Sequence, residues 1–118
     1  MVNDPDLPGF CRVIWNRHVP EMSDLTYGER EHIMSLVFAV EEVIREVMEP
    51  DKVNLATLGN MVPHIHWHVI PRYQDDAYFP ASPWSAKVRE TSNASLEARR
   101  LLAKRLPEVI RDAISQMY

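Results

Sequence analysis

The stretch His64-Ile65-His66-Trp67-His68-Val69-Ile70-Pro71-Arg72 holds three of the five histidines in the 118-residue chain. Polar and apolar side chains alternate through its first six positions. On an extended strand, residues two apart point the same way, so His64, His66 and His68 share one face and Ile65, Trp67 and Val69 the other. The apolar face calls for a covering helix, and the imidazoles are left for solvent or a site.

Upstream, Val53-Asn54-Leu55-Ala56-Thr57-Leu58 alternates in the same way, and Gly59-Asn60 is a strong turn signal. A strand over about 62–70 is therefore predicted to pair antiparallel with the strand before it, as the second arm of a short hairpin. Thr26 followed by Glu29 has capping-box spacing and opens a helix over about 26–48. Its stripe is Ile33, Met34, Leu36, Val37, Val40, Val43, Ile44, Val47 and Met48, with Glu41, Glu42, Arg45 and Glu46 opposite and Pro50 beyond its end.

Near the start, Asn3 to Gly9 is turn chemistry, and Phe10 to Trp15 reads as a strand closed before Pro20. Residues 74–93 lack periodicity and read as a loop packed on the surface. A last helix from about Ser95 toward Met117 carries Leu102, Leu106, Val109, Ile110, Ala113 and Ile114, with Pro107 kinking or dividing it. The expected fold class is α+β: a small antiparallel sheet, a long helix and a C-terminal helical segment.

Hydrophobic residues at 46% and charged residues at 25% suit one globular domain over 1–118, with 74–118 appended to its core. No apolar run approaches the roughly 20 residues of a membrane helix, and the N-terminus lacks a leader pattern. The single cysteine, Cys11, fits a small buried core residue in a reducing cytoplasm. A net charge of −4 without basic blocks argues against long nucleic acid, though local donors can still hold one phosphate.

A rise of about 3.3 Å per residue sets neighbouring histidines about 6.6 Å apart and the outer two about 13 Å apart. Zinc–nitrogen bonds are about 2.0–2.1 Å, so two of the imidazoles can tilt onto one ion while three from an extended strand are strained. The row also suits a phosphate chain, and imidazole serves as nucleophile, acid or base near neutrality. On residue types alone, a catalytic row, a two-histidine metal site and a solvated strand face all stay open.

Val62-Pro63-His64-Ile65-His66-Trp67-His68-Val69-Ile70-Pro71-Arg72 resembles the histidine triad (HIT) family, whose signature His-φ-His-φ-His-φ-φ is met at every position. Val2 to Phe10 resembles that family's ribose-side strand end and turn. Trp15-Asn16-Arg17-His18-Val19 with Asp24-Leu25-Thr26 is similar to its "PKRHV…DLT" segment. Pro71-Arg72 places the resemblance, which covers about residues 2–73, on the Fhit and diadenosine-tetraphosphate hydrolase side.

The resemblance implies that His66 attacks the α-phosphorus of a nucleotide, giving a nucleotidyl-histidine that water resolves to a nucleoside monophosphate. His64 and His68 would orient phosphate oxygens and assist proton transfer. Asn60 would hold phosphate, Asn3 a ribose hydroxyl, and His18 would approach the phosphates. Arg17 and Arg72 stay outside this set, Arg72 as a surface residue making local ion pairs. The implied substrate is a dinucleoside polyphosphate or nucleoside phosphoramidate. No cofactor is implied, although Mg2+ can accompany a polyphosphate, and the implied assembly is a homodimer. The family's usual N-terminal strand is missing ahead of Met1, which points to reduced base contacts or to contacts from a partner chain. Two other readings are a non-catalytic nucleotide- or partner-binding module and a metal-dependent hydrolase using two of the histidines.

Overall fold

The computed structural model describes residues 1–118. Its elements are β1 (Cys11–Ile14), α1 (Tyr27–Met48), β2 (Lys52–Ala56), β3 (His66–Arg72), α2 (Asn93–Ala103) and α3 (Leu106–Ser115), with a short 3-10 turn at Met22–Asp24. The fold class is α+β. The three strands form one antiparallel sheet in the order β1-β3-β2, so the histidine strand is central.

The start of α1 is fixed by Thr26 and Glu29, each of whose side chains bonds the other's backbone N–H, at 3.2 and 2.8 Å. Ile33, Val37, Val40, Val43, Ile44, Val47 and Met48 are buried from this helix, all within the stripe expected from sequence. Glu49 ends it in the left-handed region, with φ 47°. The central cluster joins this stripe to Cys11, Val53 and Val69 from the three strands and to Ala103 and Leu106 from the C-terminal segment.

The C-terminal helix is divided, as Pro107 predicts, and Pro107 sits in the first turn of α3 where its missing N–H costs nothing. Its first part starts two residues earlier than Ser95, because the Ser92 hydroxyl caps the Ser95 N–H.

Two expectations about the hairpin need correction. The histidine strand starts at His66 rather than Val62, and the connection from β2 is the nine residues 57–65 rather than a tight turn. Pro63 has its φ fixed near −65°, and the His64 N–H bonds back to the Val62 carbonyl at 2.8 Å, which curls the chain just before the ladder. His64 therefore lies outside β3. At its other end β3 continues to Arg72, since β1 stops at the Cys11–Val69 pair and leaves Pro71 a neighbour on one side only.

The two sheet faces differ as the alternation requires. Trp67, Val69, Val13 and Leu55 turn toward α1. On the opposite face lie His66, His68, Ile70 and Arg72, with Arg12 and Ile14 beside them on β1. Residues 73–92 fold back over the Ile70–Arg72 end of that face. Arg72 is consequently 2% exposed and not a surface residue. It bonds both Asp76 carboxylate oxygens, the Asn54 side chain and the Ala81 carbonyl. Arg89 adds bonds to the carbonyls of Asp76 and Phe79. The strap stops short of His66, which leaves the other end of the face open.

Candidate active site

The open end of the sheet face forms a cavity of about 620 Å³, within the size range of small-molecule sites. His64, His66, His68 and Asn60 line it together. His18 stands behind the lining, in contact with His64. Asn3 is exposed and does not line the cavity.

His66 is set by its own backbone. Its Nδ1 lies 2.7 Å from the His64 carbonyl oxygen. A carbonyl only accepts, so Nδ1 carries the proton, and in the neutral ring Nε2 keeps its lone pair. The curl at Pro63 thus prepares the next histidine: it turns the His64 carbonyl toward the ring that follows. The Thr57 hydroxyl donates to the His66 carbonyl at 2.7 Å and ties the loop to the start of β3.

His64 has both ring nitrogens engaged. Nε2 donates to the Trp15 carbonyl at the end of β1, and Nδ1 lies 2.9 Å from Nδ1 of His18. With Nε2 as donor, the neutral His64 ring accepts from His18 through Nδ1. Backbone bonds between Trp15 and Ile65 and between Ile65 and Val19 hold the two segments in register.

His68 is the most enclosed of the three, at 8% exposure. Phe10, His66 and Trp84 stand edge-on around it at ring separations of 5.4, 4.9 and 4.9 Å. Its buried Nδ1 has no partner. Burial, then the neighbouring His66 and the Arg12 guanidinium, hold its pKa below the usual histidine value. His68 is accordingly neutral at pH 7.

The strand-derived spacing of about 6.6 Å is not kept by the rings of His66 and His68, which tilt to a centroid separation of 4.9 Å. No three His, Cys, Asp or Glu side chains stand grouped as a metal-ligating set. The ring geometry instead offers a free basic nitrogen, on His66, between His64, whose two ring nitrogens are already engaged, and a neutral enclosed imidazole. Such a set can attack an electrophilic phosphorus and handle protons around it.

Arg12 and Trp84 are among the lining residues that the sequence reading left out of the site. Arg12 was a single polar position inside an apolar strand, and that was a usable signal. Trp84 gave none, because its place over His68 depends on how the aperiodic strap folds.

Residues 1–75 match the family model described as HIT domain. The bis(5'-nucleosyl)-tetraphosphatase (asymmetrical) of Schizosaccharomyces pombe is 38% identical over 77 residues, 61% of this chain and 42% of that protein. The AP-4-A phosphorylase of Mycobacterium tuberculosis is 34% identical over 105 residues, 84% of this chain and 53% of that protein. The chain thus spans about half the length of these relatives. The crystal structure of a histidine triad protein from Marinobacter aquaeolei superposes with a TM-score of 0.76 at 25% identity, over 96% of this chain and 81% of that one.

Proposed function

This chain belongs to the HIT domain family, and from that membership we propose that it cleaves dinucleoside polyphosphates or nucleoside phosphoramidates at the α-phosphorus, releasing a nucleoside monophosphate. The observation that carries this reading is the His66 tautomer, with Nδ1–H held by the His64 carbonyl and the Nε2 lone pair left for attack. The names of the relatives, a tetraphosphatase and a phosphorylase, support the polyphosphate class.

In the first step Nε2 of His66 forms a bond to the α-phosphorus while the bond from phosphorus to the leaving oxygen or nitrogen breaks. The positive charge that develops on the His66 ring is drawn toward the His64 carbonyl oxygen 2.7 Å from Nδ1. An amine leaving group takes up a proton from solvent as it departs; in the second step water attacks phosphorus, the Nε2–phosphorus bond breaks, the water's proton passes to solvent and His66 returns to its neutral tautomer. His68 works as a neutral imidazole: its buried, partnerless Nδ1 is the bare nitrogen, and its Nε2–H donates a hydrogen bond to a phosphate oxygen or the leaving atom. Asn60, at the rim, donates its amide to a phosphate oxygen.

The reading includes cytoplasmic residence and a homodimer. No helix is long and apolar enough to cross a membrane. Phe38 on α1 exposes 49% of its surface and would gain from a second copy. Mg2+ would arrive with the polyphosphate and not be needed for phosphoramidate cleavage.

Turnover of a diadenosine polyphosphate and of adenosine 5'-phosphoramidate, with and without EDTA, tests the reading. Wild type should release AMP from both, and EDTA should leave the phosphoramidate reaction intact. AMP binding without turnover of either compound favours a binding module, and loss of both activities in EDTA favours a metal-dependent hydrolase.

A further inference from the structure

We propose that Arg12 anchors the phosphates beyond the scissile bond, so that the site favours a polyphosphate leaving group over an amine. This rests on the α-phosphorus chemistry above and adds the direction in which the substrate lies.

Arg12 sits on β1 directly across from His68, and Ile14 across from His66, so all four side chains belong to the same sheet face. Apart from the three imidazoles, Arg12 is the one ionisable side chain lining the cavity. It is exposed there and enters none of the six ion pairs of the chain. Arg17, Arg72, Arg99 and Arg100, by contrast, are paired with Glu29, Asp76, Asp75 and Glu97. The Arg12 charge also reaches the triad, since it is among the groups that depress the His68 pKa.

The cavity therefore has a direction. Asn60 and the 57–65 loop lie at the His64 end, while Arg12 and Trp84 lie at the His68 end. A substrate with its α-phosphorus at His66 meets a free guanidinium on one side only. A polyphosphate leaving there gains negative charge as its bond to phosphorus breaks, and a guanidinium can meet two of its oxygens at once. An amine leaving group presents no anion to that position, so it gains nothing from Arg12.

The experiment compares kcat/KM for diadenosine tetraphosphate and adenosine 5'-phosphoramidate in wild type, Arg12→Leu and Arg12→Lys. Loss of a charge-assisted contact should lower the polyphosphate value in Arg12→Leu by about ten- to a hundredfold, leave the phosphoramidate value within about threefold, and give Arg12→Lys an intermediate value. An equal fall for both substrates overturns the assignment while leaving the hydrolase reading in place. If wild type turns over neither compound, the hydrolase reading fails instead. Calorimetric titration with inorganic tripolyphosphate then probes the anchor without catalysis. Weaker binding by Arg12→Leu supports it, and equal binding overturns it.

Discussion

His68 is the imidazole whose surroundings alter it most, and the change has consequences at two pH ranges. Its folded pKa lies below the ordinary value of about 6.5 because burial disfavours the cation and His66 and Arg12 add to that. The unfolded chain therefore takes up this proton first as pH falls. The stability that His68 contributes is complete above about pH 6.5 and is lost as pH drops toward the folded value. Urea midpoints measured from pH 7.5 to 5 should fall, and a His68→Leu variant should show a shallower fall. Buried Asp76 acts in a lower range. Burial alone would raise its pKa, but Arg72 and the backbone N–H groups of Tyr78, Tyr73 and Phe79 outweigh that and leave it lowered. Its contribution persists above the ordinary carboxylate value of about 3.9 and is lost below it. Among single residues, the triad was the most legible in sequence, because a period of two survives as a shared cavity even though Pro63 lifts His64 off the strand. Arg72 was misread because its burial comes from a strap folded over it, which no local pattern announces.

At the scale of elements, the helix start was readable to the residue, since Thr26 and Glu29 make both bonds of a capping box. Thr26→Ala should lower stability by about 1 kcal/mol in chemical denaturation. The turn before β1 is more demanding. Gly9 has φ 90°, and a Cβ there would stand 2.9 Å from the Met48 methyl carbon and 3.2 Å from a Pro71 ring carbon. Gly9→Ala is expected to cost about 1–3 kcal/mol, chiefly from the backbone conformation, because the Met48 tip can move. The strap over 73–92 depends on a buried ion pair, with Arg72 2% and Asp76 1% exposed. Removing one partner leaves the other charged and enclosed, so Arg72→Ala should cost about 3–5 kcal/mol, a large share of a typical domain's total of about 5–15 kcal/mol. Because the strap also carries Trp84 to His68, the same variant should raise His68 protection loss as well, seen as an upward shift of its NMR titration midpoint. The sheet order β1-β3-β2 was not legible from sequence, where only the pairing of consecutive strands was anticipated. Pairing β3 with β1 joins residues from Ile14 with His66 to Cys11 with Val69, far apart in the chain, and alternation alone does not choose that partner.

For the whole molecule, one core joins α1, all three strands and the C-terminal residues Ala103 and Leu106. A single cooperative unfolding transition over residues 1–118 is therefore expected, with far-UV circular dichroism and tryptophan fluorescence reporting the same midpoint. The homodimer reading predicts twice the chain mass in sedimentation equilibrium, and a Phe38→Glu variant should shift the population toward monomer. These properties frame the chemistry, but the central claim concerns one nitrogen atom. Rapid acid- or base-quench of the protein with diadenosine tetraphosphate, followed by peptide mass spectrometry, reads it directly. The account predicts an adenylyl group on His66 that forms and decays at rates compatible with turnover and is absent from His66→Ala, whose activity falls on the order of 10⁴-fold or more. An adduct on another residue, or full turnover by His66→Ala, would contradict it.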